Sequence, residues 1–273
     1  MTSGKKILLG FQHLFAMFGA TILVPTLVGL NPSVTLITAG IGTLIFHWIT
    51  GNKVPVFLGS SFAFVTATQM VVSTMGIPYA QGGIIFAGLI YVALALVVAA
   101  VGSEKVRQFF PPVVTGPVIV VIGVSLSPNG ISDSATNWPI ALFVLAVVIA
   151  VSVFAKGFFQ LVPILIGLTA GYLVALVCSL TGICPGLIDL SVIAQAPVIN
   201  PIWKFDGSFF TLPKFDLTAI LAIAPIAFVT FMEHIGDITT NGTVVGKDFF
   251  KDPGLNRTLL GDGIATLFAG LLG

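Results

Sequence analysis

Apolar residues come in long blocks along this chain, and polar residues collect in the breaks between them. Nine blocks stand out, at about 7–30, 34–50, 54–75, 80–101, 113–127, 138–155, 161–182, 217–246 and 258–273. A helix needs about 20 residues to cross the hydrocarbon layer of a bilayer, so the pattern predicts an all-α polytopic membrane protein with about nine spans. Short Pro/Gly or charged breaks separate most blocks. The exception is Gly186 to Asp216, a longer connection with turn clusters at Cys184-Pro185-Gly186, Ala196-Pro197, Asn200-Pro201 and Leu212-Pro213.

The third block breaks the helical pattern. It opens Val54-Pro55-Val56-Phe57-Leu58-Gly59-Ser60-Ser61-Phe62-Ala63-Phe64. Pro55 and Gly59 disfavour a helix there, β-branched and aromatic residues favour extended chain, and Ser60 and Ser61 are good N-caps. The expected structure is a short strand followed by a half-helix beginning near Ser61. Non-helical backbone at membrane depth survives only where protein buries it or where it lines a cavity.

Composition removes the soluble alternatives. Hydrophobic residues make up 56% of the 273 positions and charged residues 8%, and the mean hydropathy is +1.11. A soluble domain carries about 25% charged residues. A net charge of +1 gives nucleic acid no electrostatic footing. Lys5 and Lys6 precede an apolar run as in a signal peptide, but the run is too long for one and lacks a small-residue cleavage site. It reads as a retained first span. Cys178 and Cys184 read as unpaired thiols, since two cysteines make no disulfide framework.

The charges also orient the chain. With the N-terminus in the cytoplasm, the connections on that side hold Lys5, Lys6, Lys53, Lys105, Arg107, Lys156, Lys247, Lys251 and Arg257, and the other side holds only Lys204 and Lys214. Nine against two is the bias that marks cytoplasmic loops. The reading is a multi-pass protein of the cytoplasmic membrane with its N-terminus inside.

A weak internal repeat joins the ends. Gly40-Ile41-Gly42-Thr43-Leu44 in the second block matches Gly263-Ile264-Ala265-Thr266-Leu267 in the ninth, an offset of 223 residues that also sets Gly19 on Gly242. Block one runs outward and block eight inward, so a seven-span unit would recur inverted, an architecture met in transporters. The counterpart of the broken third span would then begin just past Gly273. The expectation is a fragment, one whole repeat plus the first two spans of a second.

Residues 217–246 carry charge only at Glu233 and Asp237. As one continuous helix they would reach about 45 Å at ~1.5 Å per residue, with Glu233 near the middle and Asp237 one turn on, on the same face. A charged carboxylate at that depth costs several kcal/mol unless it is compensated, so this face must look into the bundle or a wet cavity. A carboxyl that spends part of its time protonated is what a proton-coupled carrier needs. A purely structural pair, satisfied by hydroxyls or a histidine, is the alternative. His13 lies in the first span beside Gln12. His47 reads as interfacial, and His234 as pointing off the Glu233/Asp237 face. No metal-ligand spacing, nucleotide-binding glycine motif or nucleophile elbow occurs, so no metal, cofactor or enzymatic site is expected.

Four strings together carry a family resemblance: Gln12-His13-Leu14-Phe15-Ala16-Met17-Phe18-Gly19-Ala20, Gly59-Ser60-Ser61-Phe62-Ala63-Phe64, Phe110-Pro111-Pro112 and Glu233-His234-Ile235-Gly236-Asp237. They resemble the nucleobase–ascorbate transporters, also called nucleobase–cation symporters, and most of all their bacterial uracil permease branch. The resemblance implies fourteen spans in two inverted seven-span repeats, about nine of them present here. It divides the chain into core spans 1–4 over 1–103, gate spans 5–7 over 104–185, an extracellular connection over 186–216, and core spans 8–9 over 217–273. It further implies uracil or a related nucleobase as substrate, a proton as co-substrate and a homodimer in the bilayer. Glu233 would hydrogen-bond the nucleobase ring and Phe62 would offer its backbone N–H to a ring carbonyl. Ala20 would pack near the ring, His13 and Ser61 would support the site, and Glu233 with Asp237 would couple the proton. Asp237 stands where some uracil permeases have histidine and other family members an acid, which leaves xanthine or another purine as a rival substrate. The acidic motif that the family carries in span ten does not occur. A same-fold anion carrier would need a basic residue in spans one, three or eight, and none is there.

Overall fold

The computed structural model describes residues 17, 20–157, 159, 163–184, 186–188, 191 and 211–273, the side chains at 112 and 115 excepted. His13, Gln12, half of the first span and most of the 186–216 connection lie outside the described residues. The described chain is helical: α1 (20–28), α2 (Pro32–Ile49), a 3₁₀ turn (Phe62–Phe64) leading into α3 (Val65–Met75), α4 (Ile77–Val101), α5 (Ser103–Phe109), α6 (Pro112–Ala135), α7 (Trp138–Phe154), α8 (Pro163–Leu180), α9 (Leu217–Ile223), α10 (Ile226–Val245) and α11 (Leu255–Leu272). Among the described residues five helices are long and apolar enough to cross a membrane, the kinked pair Leu217–Val245 counted as one of them. Two apolar helices, Phe62–Met75 and Trp138–Phe154, are shorter. Large apolar side chains such as Leu44, Trp48, Leu96, Val120, Leu221 and Val244 face outward, as they must where the solvent is lipid.

Four details differ from the sequence reading. The third block contains no strand; among the described residues no β-ladder forms, because its backbone groups are taken up by side chains. The eighth block is two helices rather than one, since Pro225 has no N–H to give the preceding turn. Ala227 and Phe228 bond back only three residues, to Ala224 and Pro225. The helix of the fifth block, α6, runs on to Ala135 through Ser127-Pro128-Asn129-Gly130, which composition reads as a loop. Ser134 ties its hydroxyl back to Gly130 O at 2.7 Å there. Finally, α5 is a short interfacial helix inside what reads as a simple break.

The chain forms two compact units, one of Met1–Gly19 with Ser127–Lys204 and one of Ala20–Leu126 with Phe205–Gly273. In the first, α7 and α8 pack through Gly167 and Gly171, four residues apart, against Val148 and Val144; a methyl on either glycine would overlap its valine. Lipid tails offer no hydrophobic drive for this, so contact depends on small residues letting backbones approach. Cys178 and Cys184 are separate thiols.

In the second unit α11 is the central helix. Gly263 admits Tyr91 of α4 so closely that an added Cβ would stand 2.9 Å from the tyrosine Cβ. Against α2, a Cβ on Gly42 would stand 3.1 Å from that of Ala265, and these two positions are paired by the 223-residue offset. A core of Phe46, Tyr91, Phe231, Ile235, Phe249, Leu255 and Leu259 joins these helices. At one end three connections meet: Lys53 pairs with Asp252, and Arg107 lies 3.7 Å from Asp248 and over the ring of Phe250. At the other end, Lys214 N–H donates to Pro78 O at 2.8 Å and Gln81 exchanges amide bonds with Thr211.

Candidate functional site

The broken segment before α3 is held by side chains. Leu58 N–H donates to Thr43 Oγ1 of α2 at 3.0 Å, and the single proton of that hydroxyl goes to Ala39 O at 2.7 Å. Asn241 of α10 donates through Nδ2 to Pro55 O at 3.2 Å. A backbone with no ladder partner is thereby kept satisfied in a setting where each orphan group is costly. Ser61, extended at φ −89° and ψ 132°, ends the segment and caps the helix, its Oγ accepting from Ala63 N–H at 3.3 Å.

Glu233 reaches this cap from the middle of α10. Ser61 Oγ donates to Glu233 Oε2 at 3.0 Å, so one hydroxyl links the half-helix N-terminus to the intramembrane carboxylate. A hydrogen bond to a charged group contributes about 1.5–3 kcal/mol, which suffices to fix the carboxylate's aim. Phe62 N–H lies in the first turn, where no preceding helical carbonyl can receive it. The partial positive charge of a helix start favours an electron-rich atom there. Carboxylate oxygen and turn N–H together make an acceptor beside a donor, the complement of a cyclic amide edge.

Other expected residues fall differently. The Phe62 ring packs on Val24, Val28 and Val65, and Ala20 sits one turn before Val24 on that stripe of α1. Asp237 is exposed one turn along α10 from Glu233, and among the described residues no hydrogen bond reaches its carboxylate. Thus Ser61 brings Phe62 and Glu233 together, Ala20 lies one turn before Val24 on α1, and Asp237 stands apart. The open pocket of about 240 Å³ at the far end of α10, lined by Arg107, Thr243 and Asp248, contains none of them. Among the described residues no group of three His, Cys, Asp or Glu side chains could hold a metal.

Sequence reasoning missed three contributors. Thr43 is the shared threonine of the repeat string, and that repetition was its signal. Asn241 carried none beyond being an amide in a span. Asp262, an acid inside the ninth block, had the same signal as Glu233 and binds His234.

A family model described as a permease family matches residues 4–273. The chain belongs to this family. Curated relatives agree: it is 45% identical to a "Probable uracil permease" of Haemophilus influenzae, the match covering 98% of this chain and 64% of that one. It is 42% identical to the "Uracil permease" of Bacillus caldolyticus, over 100% and 63%. It is 35% identical to the "Uracil permease" of Escherichia coli strain K12, over 98% and 62%. The chain thus spans a little under two-thirds of the length of these relatives. The resemblance drawn from the four strings to the nucleobase transporters therefore holds along the whole chain, and the all-helical membrane architecture with it.

Proposed function

We propose that this permease carries uracil into the cell across the cytoplasmic membrane together with a proton. The observation that carries the reading is the Ser61–Glu233 bond. It sets a carboxylate acceptor beside the Phe62 N–H at the start of a half-helix, and uracil presents alternating ring N–H and carbonyl groups. Glu233 receives a ring N–H, Phe62 N–H donates to the neighbouring carbonyl, and Ala20 leaves room for the flat ring. The names of the relatives support the choice of nucleobase. Asp237, exposed on the same face, assists the proton step, and His13 braces the site from the first span.

The wider proposal follows the same line. Residues 1–103 and 217–273 act as a core, 104–185 as a gate that moves against it, and 186–216 as the outer connection. The Gly42–Ala265 contact supports an inverted repeat, because a two-fold relation brings equivalent residues together on its axis. The N-terminus lies in the cytoplasm, and the permease pairs as a homodimer.

Uptake of labelled uracil by cells lacking their own permease and expressing the gene that carries this chain tests the reading. An uncoupler, excess xanthine and Glu233→Gln serve as arms. Uptake that falls with uncoupler and in the variant but resists xanthine is expected. Uptake of xanthine alone would move the substrate to the purines, and no nucleobase uptake by folded protein would end the proposal.

A further inference from the structure

His234 follows Glu233 in sequence but turns away from it into the protein, only 8% exposed. Its ring sits between two side chains one turn apart on α11: Nδ1 is 3.1 Å from Asp262 Oδ2 and Nε2 is 3.0 Å from Thr258 Oγ1. Tyr91 of α4 closes the ring from the side, edge-on, with centroids 6.3 Å apart. The titratable groups around it are Asp262 on α11, Tyr91 on α4, and Glu233 and Asp237 on its own helix. Arg257, beside Thr258, is exposed.

Counting protons shows what this arrangement can do. An ionised carboxylate only accepts, so Nδ1 carries a hydrogen and donates it to Asp262. The partner of Nε2 is a hydroxyl, which can do either. Thr258 Oγ1 also lies 3.0 Å from Leu255 O. With a neutral ring, the hydroxyl gives its proton to Nε2. With a proton on Nε2, the ring donates to Oγ1 and the hydroxyl turns its own proton to Leu255 O. Every polar atom stays bonded in both states, and no heavy atom need move. The proton comes from water and returns to it, no other bond forming or breaking. The protonated pair is net neutral, an imidazolium beside a carboxylate; the deprotonated pair carries one negative charge.

We propose that His234 and Asp262 form a second proton-holding site, one residue from the carboxylate assigned to the substrate, with Thr258 as the rotating hydroxyl that serves both states. The site links α10 to α11, so its charge state bears on the helix that presents Glu233. Only its consequence for transport rests on the permease reading; the proton site stands on its own geometry.

Nitrogen-15 spectra of histidine-labelled full-length protein in lipid nanodiscs test it, titrated from about pH 5 to about pH 9 around the ordinary histidine range. The resonance pair missing from His234→Gln belongs to His234. Expected is an Nδ1 protonated throughout and an Nε2 that loses its proton within the range. Asp262→Asn keeps an acceptor but removes the charge that favours the imidazolium, and should move the midpoint down. It also identifies the resonance should His234→Gln not fold. An Nε2 fixed in one state across the range, or a midpoint unmoved by Asp262→Asn, overturns the proposal. No nucleobase enters these spectra, so failure of the uracil reading leaves them interpretable, and a silent His234 leaves that reading intact.

Discussion

At the scale of single residues, Glu233 and Ser61 carry the proposed site, and their proposed roles separate by chemistry. Glu233→Gln retains size but offers an amide N–H where a ring N–H must be received. That mismatch is expected to cut uracil uptake by about 100-fold or more, since a polar site punishes an unpaired group heavily. Ser61→Ala removes the hydroxyl that aims the carboxylate and caps the half-helix. At about 1.4 kcal/mol per factor of ten, it should raise the KM for uracil about tenfold while expression stays normal. An unchanged KM with lost protein would make Ser61 a folding residue only.

At the scale of elements, the broken segment and the close helix crossings depend on a few small or polar side chains. Thr43→Val keeps shape but leaves Leu58 N–H unpaired, a loss of about 1–3 kcal/mol. Uptake should fall several-fold and recover in Thr43→Ser, which restores the oxygen. Gly263→Val should do its harm through packing instead. Its methyls have no space against Tyr91, and overpacking costs about 1–3 kcal/mol. The melting temperature of the purified protein should fall, with no specific change in KM among molecules that remain folded.

At the scale of the whole molecule, ion pairs at one end and amide bonds at the other tie together loops that are distant in sequence. Lys53 and Asp252 are 199 residues apart, and Gln81 and Thr211 are 130 apart. The orientation proposal predicts that a membrane-impermeant maleimide applied to intact cells labels Lys214→Cys and leaves Lys53→Cys and Lys251→Cys unlabelled until the cells are opened. Labelling in the reverse order would invert the topology.

Much of this was legible in the sequence because a bilayer is so exacting a solvent. Apolar block length marks spans and an acid at mid-span needs a reason, so the membrane class and the apolar helices follow from the string of residues alone, and Glu233 stands out in it as a candidate. The half-helix start at Ser61 was legible for a local reason, the competition between proline, glycine and a capping hydroxyl within ten residues. Tertiary structure decided the rest, because it concerns which side chain answers which backbone group across long separations. Thr43 replaces a strand partner for Leu58, Asn241 reaches Pro55, and His234, which the sequence already set off the Glu233 face, finds Asp262 and Thr258. None of those pairings has a period or a motif. Each arises because the packing of the helices brings a polar group within reach of a partner far along the chain, and at membrane depth an unbonded polar group is costly.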